Sequence, residues 1–549
     1  MLKFVIFSFV SLLQIFLISC GTSLSDKVFI RSNQVGFYPA DIKTAIILSR
    51  EKLDGCNFSV VDVNSDKIVY QDNNFDSLLS YGKFNFCYRI DFSKVRTYGK
   101  YKIRIQDIES LDFEIGNKIY NPVRDSLAQF FRCQRCGDTN PFLHEPCHLF
   151  DATQLIGYRD TSAKDLSGGW HDAGDYIKFL KTTAYTSYLL LFSYDFDKQK
   201  FGFDLNDNSD PDILEEAKIG IDWLLKCNMN NEKLVVQVQD ERDHNVSWRL
   251  PENDSLEFSR PAYVNIAKNT IGYYVSALAL ASQIWKSQYH DERYASKCLE
   301  YAEKFYSLRN QAEDLDSTFP DFYPDKDFNG KLALAAIELY NATKKSFYLT
   351  DAVEYSKKAG SDFWWSVAQI NSLAHYRIAK YYPESAQYIY NNLKHCVDHS
   401  RKSVFNESFE YSWGTTNTFL GISLQAILYK NLTGSTDFDS LNFFQRDYIL
   451  GRNPWGYSFI YNIGENSVKN LHSQIGFFNK GYLPGALSEG PAPKSLLDNF
   501  HFTRLQNKTG EFNSEQAEFY DDIDDFVCNE PTISSNATAL FVFGFFSNQ

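Results

Sequence analysis

The sequence predicts a mainly α protein: a closed α/α barrel preceded by a small β-sandwich. Three observations carry that prediction. Residues 27 to about 116 hold short segments that are β-branched or alternate in polarity, broken by turn residues such as Val63-Asn64-Ser65-Asp66 and Tyr98-Gly99-Lys100. Beyond Asn121 the segments lengthen and take a helical period. No heptad is sustained, which removes a coiled coil, and about a dozen helices packed in pairs would close a barrel.

Residues 1–19 read as a signal peptide and residues 20–26 as a tether. Lys3 supplies the positive start, and the apolar run Phe4–Ile18 is too short for a comfortable membrane span. Leu17-Ile18-Ser19-Cys20-Gly21 resembles a bacterial lipobox, in which cleavage before Cys20 leaves a lipidated N-terminal cysteine. An ordinary secretory signal with an incidental Cys20 is the alternative. Both readings export the mature protein and leave it without a transmembrane helix.

The sandwich spans residues 27–117, with strands predicted at Val28–Arg31, Thr44–Leu48, Phe58–Val63, Lys67–Tyr70, Phe86–Ile90, Tyr101–Ile105 and Leu111–Ile115. The helical domain spans residues 118–549. Its predicted helices fall at Asp212–Asn228, Ile271–Lys286, Glu292–Tyr306, Lys331–Ala342, Ala352–Gly360, Ser372–Tyr381, Thr416–Tyr429 and Ser534–Phe546. Leu332, Ala335, Ala336 and Leu339 recur at helical spacing on one of them. Small residues on the inner faces let helices pack closely.

The net charge of −14 argues against nucleic acid and anionic membrane surfaces and suits a neutral substrate. Aromatics reach 16% of the chain; most serve the core, and a surplus of Trp and Tyr suits stacking on sugar rings. Cys20 aside, nine cysteines remain, an odd number that argues against a full disulfide framework. A Cys56–Cys87 pair within the sandwich is an option the sequence leaves open.

The chemistry concentrates in Gly168-Gly169-Trp170-His171-Asp172-Ala173-Gly174-Asp175-Tyr176. Asp172 and Asp175 stand three apart in a glycine-loosened turn, with only small residues between them. If the turn continues into a helix near Tyr176, both carboxylates share one face. Like charges that close need a shared proton, water or cation, the arrangement that holds and activates one water. The alternative is a loop pair that caps the following helix. A third acid, Glu530, ends the run Asp521-Asp522-Ile523-Asp524-Asp525-Phe526-Val527-Cys528-Asn529 and is expected to open the final helix, with Pro531 in its first turn. A simple helix-dipole contact is its alternative. Together the acids fit an inverting glycoside-cleaving pair, in which a protonated acid and a water-activating base stand about 6.5–9.5 Å apart. Apolar walls, or the acidic run ahead of Glu530, would keep that acid protonated.

These motifs resemble glycoside hydrolase family 9, the group of cellulases built on an (α/α)6 barrel. The resemblance rests on Trp170–Tyr176 and Asp525–Glu530. It continues in Gln134-Arg135-Cys136-Gly137, Cys147-His148, Pro211–Glu216, Asp243-His244 with Trp248 and Pro251-Glu252, Arg260–Tyr263, Trp413-Gly414 and Tyr448–Gly456. Ser32–Gly36 resembles the opening of the immunoglobulin-like domain that precedes one branch of the family. Nearly the whole mature chain is covered. The resemblance implies that Asp175 is the general base, that Asp172 helps to hold the water, that Glu530 is the general acid and that the anomeric centre inverts. His472 matches a family histidine that touches the sugar near the cleavage point, with a buried or helix-end histidine as the alternative. Two departures stand out. The family commonly reads His-His-Arg where this chain has Leu471-His472-Ser473, and often Asp-Glu where it has Gly330-Lys331. The missing arginine bears directly on substrate contacts.

Cys136, Cys147, His148 and His171 supply two thiolates and two imidazoles, the ligand set of a structural zinc. The family branch with the immunoglobulin-like domain carries zinc at matching positions. Reduced thiols or a Cys133–Cys147 disulfide are the alternatives. Calcium also occurs in the family. The oxygen-rich run Asp204, Asn206, Asp207, Asn208, Asp210 lacks the EF-hand pattern and reads as a solvated loop. Trp248, Trp413, Trp455 and Tyr520 are candidate sugar contacts, and each tryptophan has a core alternative.

The expected protein is a lipid-anchored glycosidase of the bacterial cell envelope, monomeric, cleaving β-1,4 bonds of cellulose-type, mixed-linkage or xyloglucan chains from within. Exo-action releasing cellobiose, glucose or glucosamine is one rival. A non-catalytic glycan-binding surface lipoprotein is the other.

Overall fold

The computed structural model describes residues 27–318, 323–504 and 509–548. The expected signal peptide, Cys20 and the tether lie outside the described residues.

Two sheets make the sandwich. One runs in the order Val28–Arg31, Thr44–Ser49, Phe86–Asp91, Asp76–Leu78. The other runs Gly36–Phe37, Phe113–Ile115, Gly99–Ile105, Phe58–Asp62, Ile68–Asp72, with Ile108–Glu109 beside Gly99–Ile105. Pairing is antiparallel except between Gly36–Phe37 and Phe113–Ile115. Phe37, Ile47, Val60, Ile90, Ile103 and Ile115 fill the space between the sheets. All seven predicted strands are present; Asp76–Leu78 is too exposed and polar to stand out in sequence. Cys56 and Cys87 remain unpaired, as does every described cysteine.

The last sandwich strand ends at Ile115 and the first helix begins at Asn121. The two domains are pinned by polar contacts across their seam. Arg446 pairs with Asp41 at 2.9 Å, Asn33 donates to Asp447 Oδ1 at 2.8 Å, and Gln34 donates to the Gly456 carbonyl at 2.9 Å.

Twelve α-helices of nine residues or more follow among the described residues. Six form an inner ring, each packed on the next: Leu180–Phe196, Lys268–Ile284, Asn329–Thr343, Asn371–Ala379, Thr415–Thr433 and Ile533–Phe546, the last closing on the first. The outer six are Asn121–Gln134, Asp212–Lys226, Glu292–Ser307, Ser346–Ala359, Ala386–Ser400 and Asp439–Ile449. This is the expected (α/α)6 barrel. Inner helices are apolar nearly all round; every residue from Leu180 to Tyr194 is buried. Leu180–Phe196, the first of the inner ring, was not predicted from sequence. Asn121–Gln134, Ala386–Ser400 and Asp439–Ile449 were not predicted either.

A further sheet, invisible to sequence, braces the Asp-containing turn. Its order is Gln154–Ile156, Pro261–Asn265, Lys233–Val238, Lys178–Phe179, with Asn228–Met229 beside Lys233–Val238. The short strand Lys178–Phe179 leaves the Asp172–Asp175 turn and pairs with Gln237 and Val238. The 3-10 turn Glu241–Asn245 follows that partner strand. Asp175 and His244 are thereby brought together. Among the described residues no helix is long and apolar enough to cross a membrane.

Candidate active site

The candidate residues sit on loops that lead into inner-ring helices, so they collect at one end of the barrel. Asp172 and Asp175 precede Leu180, Tyr323 precedes Asn329, Trp413 precedes Thr415, and Glu530 precedes Ile533. The Asp172–Asp175 turn does not run into a helix at Tyr176; a strand intervenes and the helix starts at Leu180. Backbone bonds fix the turn instead. His171 N–H donates to the Gln134 carbonyl at 2.8 Å and Asp172 N–H to the Ile177 carbonyl at 3.0 Å. Ile533 N–H donates to the Asp172 carbonyl at 3.0 Å, tying the turn to the last helix.

Gly174 is required by close approach. A Cβ there would lie 2.1 Å from the His472 carbonyl oxygen. The bare backbone lets Glu530 reach in, and its Oε1 accepts the Gly174 N–H at 3.0 Å, between the two aspartates. The three acids named from sequence therefore meet. Burial is the first cause that pushes the Glu530 carboxyl well above the ordinary range, and the Asp175 charge is the second. The acidic run ahead of Glu530 is engaged elsewhere: Asp525 pairs with Arg504 at 2.8 Å and Asp521 accepts the Asn470 N–H at 2.9 Å.

Glu530 does not open the final helix. It follows the short helix Phe526–Asn529 in extended conformation, and Thr532 caps the helix that begins at Ile533. The reason is Pro531, whose ring disfavours helical geometry in the residue before it.

Asp172 is buried, and burial, reinforced by the Asp175 charge, raises it to about 7. Its Oδ2 accepts the Tyr323 hydroxyl. Asp175 accepts the Ile177 N–H at 2.9 Å and meets His244 Nε2 at 2.7 Å. That hydrogen bond, with the Asp175 charge, raises His244 to about 9, so the imidazole is cationic at neutral pH. A fourth acid acts on the same region. Glu489 is buried, accepts from Ser535 at 2.8 Å and Thr532 at 3.2 Å, and is raised to about 7 by burial.

His472 Nδ1 lies 2.7 Å from the Ile523 carbonyl, which orients the ring and leaves Nε2 as the accepting nitrogen of the neutral form. Trp248 lies edge-on to His472 at 5.0 Å and to Phe477 at 5.4 Å. Trp413 is 45% exposed beside Phe500 and Phe526, as a stacking surface needs. One aromatic expectation requires correction. Trp455 is buried against Phe459 and Phe519 with its indole N–H on Asn513, so it has no ring face for a sugar. Tyr520 has one face covered by the Arg504 guanidinium, 3.7 Å from its ring centre.

Behind the turn, Cys136, Cys147, His148 and His171 form a buried cluster whose ligand atoms lie within 4.8 Å of one another. Cys136 Sγ is 3.7 Å from His148 Nδ1, Cys147 Sγ is 3.8 Å from His171 Nε2, and the two imidazole nitrogens are 3.1 Å apart. The bond lengths of tetrahedral Zn–S and Zn–N coordination give edges of about 3.3–3.8 Å, so the donor set and its spacing fit that ion. His148 is oriented by Asp254 at 3.1 Å, the carboxylate–histidine arrangement that steadies metal ligands. Asp254 also binds Arg249, which reaches Asp243, and Asp243 accepts the Tyr176 N–H at 3.0 Å. The cluster is thus joined through a chain of buried charges to the residue beside Asp175.

The run Asp204–Asp210 folds on itself. Asp204 accepts the Ser209 N–H at 2.7 Å, and the Asn206 and Asn208 amides each donate to Glu215 at 2.8 Å. An oxygen cage for calcium would need those amides turned round.

Tyr323, His244 and Glu489 carry parts of the site that sequence analysis gave no role. His244 had a signal, the Asp-His pair ahead of Trp248; the other two stand in loops without pattern.

An α/α barrel whose loops gather a protonated carboxyl against two aspartates defines the class, a glycoside hydrolase. The particular family follows from comparison. The description "Glycosyl hydrolase family 9" matches residues 120–543 and "Cellulase N-terminal ig-like domain" matches residues 27–110. The chain belongs to glycosyl hydrolase family 9. It is 26% identical over 560 residues to a cellodextrinase of Butyrivibrio fibrisolvens, covering 93% of this chain and 98% of the relative. It is 23% identical to a xyloglucan-specific endo-β-1,4-glucanase of Bacteroides ovatus, covering 95% and 94%. In fold it is similar to a metagenome-derived family 9 endoglucanase, with TM-score 0.82, 23% identity and 95% and 99% coverage. It is also similar to a Zn-binding triple mutant of the family 9 endoglucanase J30, with TM-score 0.81, 21% identity and 93% and 100% coverage.

Proposed function

We propose that this protein is an inverting, endo-acting β-1,4-glucanase, exported and lipid-anchored at Cys20, with a structural zinc held by Cys136, Cys147, His148 and His171. The observation that carries the reading is the Glu530 carboxyl seated on the Gly174 N–H between Asp172 and Asp175. Asp172 and Asp175 hold one water. Asp175 takes its proton as the water attacks the anomeric carbon, and His244, 2.7 Å away, orients that carboxylate. Glu530, protonated because it is buried beside Asp175, gives its proton to the leaving oxygen. The sugar chain stacks on Trp413 and Trp248, with His472 at the cleavage point. Zinc, when bound, ties the Cys147 loop to the His171 end of the catalytic turn and stiffens it.

Reducing-sugar release from cellulose-type, mixed-linkage and xyloglucan substrates tests the activity. Proton NMR of the first product tests the stereochemistry: an α-anomer is expected, and a β-anomer would overturn the roles of all three acids. The relative named a cellodextrinase supports exo-action on short chains as the second reading. A rapid fall in polymer viscosity separates endo from exo cleavage. Binding without hydrolysis would leave only the glycan-binding reading.

A further inference from the structure

Three inner-ring helices begin around one buried carboxylate. Lys181 is the second residue of Leu180–Phe196, Asn269 the second of Lys268–Ile284, and Lys331 the third of Asn329–Thr343. All three side chains turn to Asp325. Lys331 Nζ lies 3.0 Å from Asp325 Oδ1, and Tyr273 donates to the same oxygen at 3.0 Å. Asn269 donates to Asp325 Oδ2 at 2.7 Å, with Lys181 Nζ at 3.8 Å. Lys331 further donates to the carbonyls of Asp327 and Ala368. Lys181 donates to the Tyr323 carbonyl at 2.5 Å. Asp325 thus receives two ammonium groups, an amide and a phenol. Burying this much charge is tolerated only when the groups satisfy one another. The resulting arrangement is rigid, and it lies two residues from Tyr323, whose hydroxyl bonds to Asp172. Lys331 is also where the chain departs from the family's Asp-Glu pattern.

We propose that Asp325, Lys181 and Lys331 form a positioning clamp for the reaction: the clamp holds the Tyr323 loop so that its phenol orients Asp172, and Asp172 in turn orients the attacking water. The inference rests on the reading of Asp172 as a holder of that water. Misplacing a reacting group by about 1 Å is enough to cost about 100-fold in rate. The clamp touches no substrate, so its loss acts on turnover and not on binding.

The test is a double-mutant cycle on the full-length enzyme with Lys331→Met, Tyr323→Phe and both together. Lys331→Met is expected to lower kcat by about tenfold or more, with KM within about twofold of wild type. In the Tyr323→Phe background the same change is expected to do almost nothing, because the orienting bond is already gone. A structural role alone would multiply the two losses. A Lys331→Met enzyme with kcat within about twofold of wild type, or losses that multiply, overturns the clamp. If Lys331→Met fails to fold by circular dichroism, the isosteric Asp325→Asn is judged by the same criteria. A wild type inactive on every glucan would sink the proposed function; an active wild type with an indifferent clamp sinks only this inference.

Discussion

The turn from His171 to Asp175 separates two groups of ionisable side chains that are built on opposite principles. Behind it, acids meet cations. Asp151 binds Arg260 and Lys178, Asp254 binds Arg249, Arg260 and His148, and Asp243 binds Arg249. In front of it, neutral donors hold three of the acids, and only Asp175 meets a cation, the His244 imidazolium. Asp172 accepts a phenol, Glu489 two hydroxyls and Glu530 a backbone N–H. Both regions are buried, yet burial has different consequences. Where three cationic partners compensate, Asp254 is held below the ordinary carboxylate range despite its desolvation, whereas burial and the Asp175 charge still raise Asp243. Where they do not, Asp172, Glu489 and Glu530 all rise. One side is a scaffold of paired charges; the other keeps a proton available for chemistry.

The largest expected effect comes from removing that proton. Glu530→Gln is expected to lower kcat on polymer by about 10²–10⁴-fold, the usual contribution of a general acid. Circular dichroism should leave the fold unchanged. Substrates with a very good leaving group should suffer less. A variant with more than half the wild-type rate would end the assignment. In the wild type the alkaline limb of kcat/KM should follow Glu530, well above an ordinary glutamate, because activity requires its acid form.

The other side of the turn should answer differently. Cys136→Ser is expected to lower the zinc content below one per chain and to lower the melting temperature, because buried polar groups lose their partner. Well below the melt, kcat should stay within about threefold, about 0.7 kcal/mol. Metal analysis with thermal melts checks this. A variant that melts like wild type with zinc retained would show that Cys136 is not a ligand.

What sequence could read divides along a similar line. Asp172, Asp175 and Glu530 were legible because their neighbours, Trp170, Gly174 and Asn529, form local patterns. Cys136, Cys147, His148 and His171 were legible because thiols and imidazoles are few. Outer helices such as Glu292–Ser307 announced themselves by one apolar face. Leu180–Phe196 did not, being buried on every side, but neither did the amphipathic Asn121–Gln134, Ala386–Ser400 and Asp439–Ile449. Tyr323 and Glu489 were unreadable for a related reason: each joins the site through the meeting of distant loops, and no local spacing records that. Trp455 failed in reverse, because a motif position says nothing about which way a ring faces.

Effects on stability give the sharpest contrast, since they should differ in sign. Glu489 moves from 4.5 to about 7 on folding. An acid raised in the folded state contributes stability that is complete below its unfolded pKa and is lost as pH climbs through the folded value. Glu489→Gln should therefore gain little at pH 4.5 and gain up to about 3 kcal/mol above pH 7. Asp254 is the opposite case. Its burial raises it, but bonds from His148 and the Leu256 N–H, with the Arg260 and Arg249 charges, more than offset that. Its contribution is present above the unfolded pKa of 3.8 and is lost only in acid. Asp254→Asn should thus destabilise the protein equally at pH 5 and pH 8. Chemical denaturation of Glu489→Gln at about pH 4.5 and about pH 8, and of Asp254→Asn at about pH 5 and about pH 8, is the measurement. Gains from Glu489→Gln that did not grow with pH would mean that its carboxyl is ionised in the folded protein, and the front of the turn would then be no less compensated than the back.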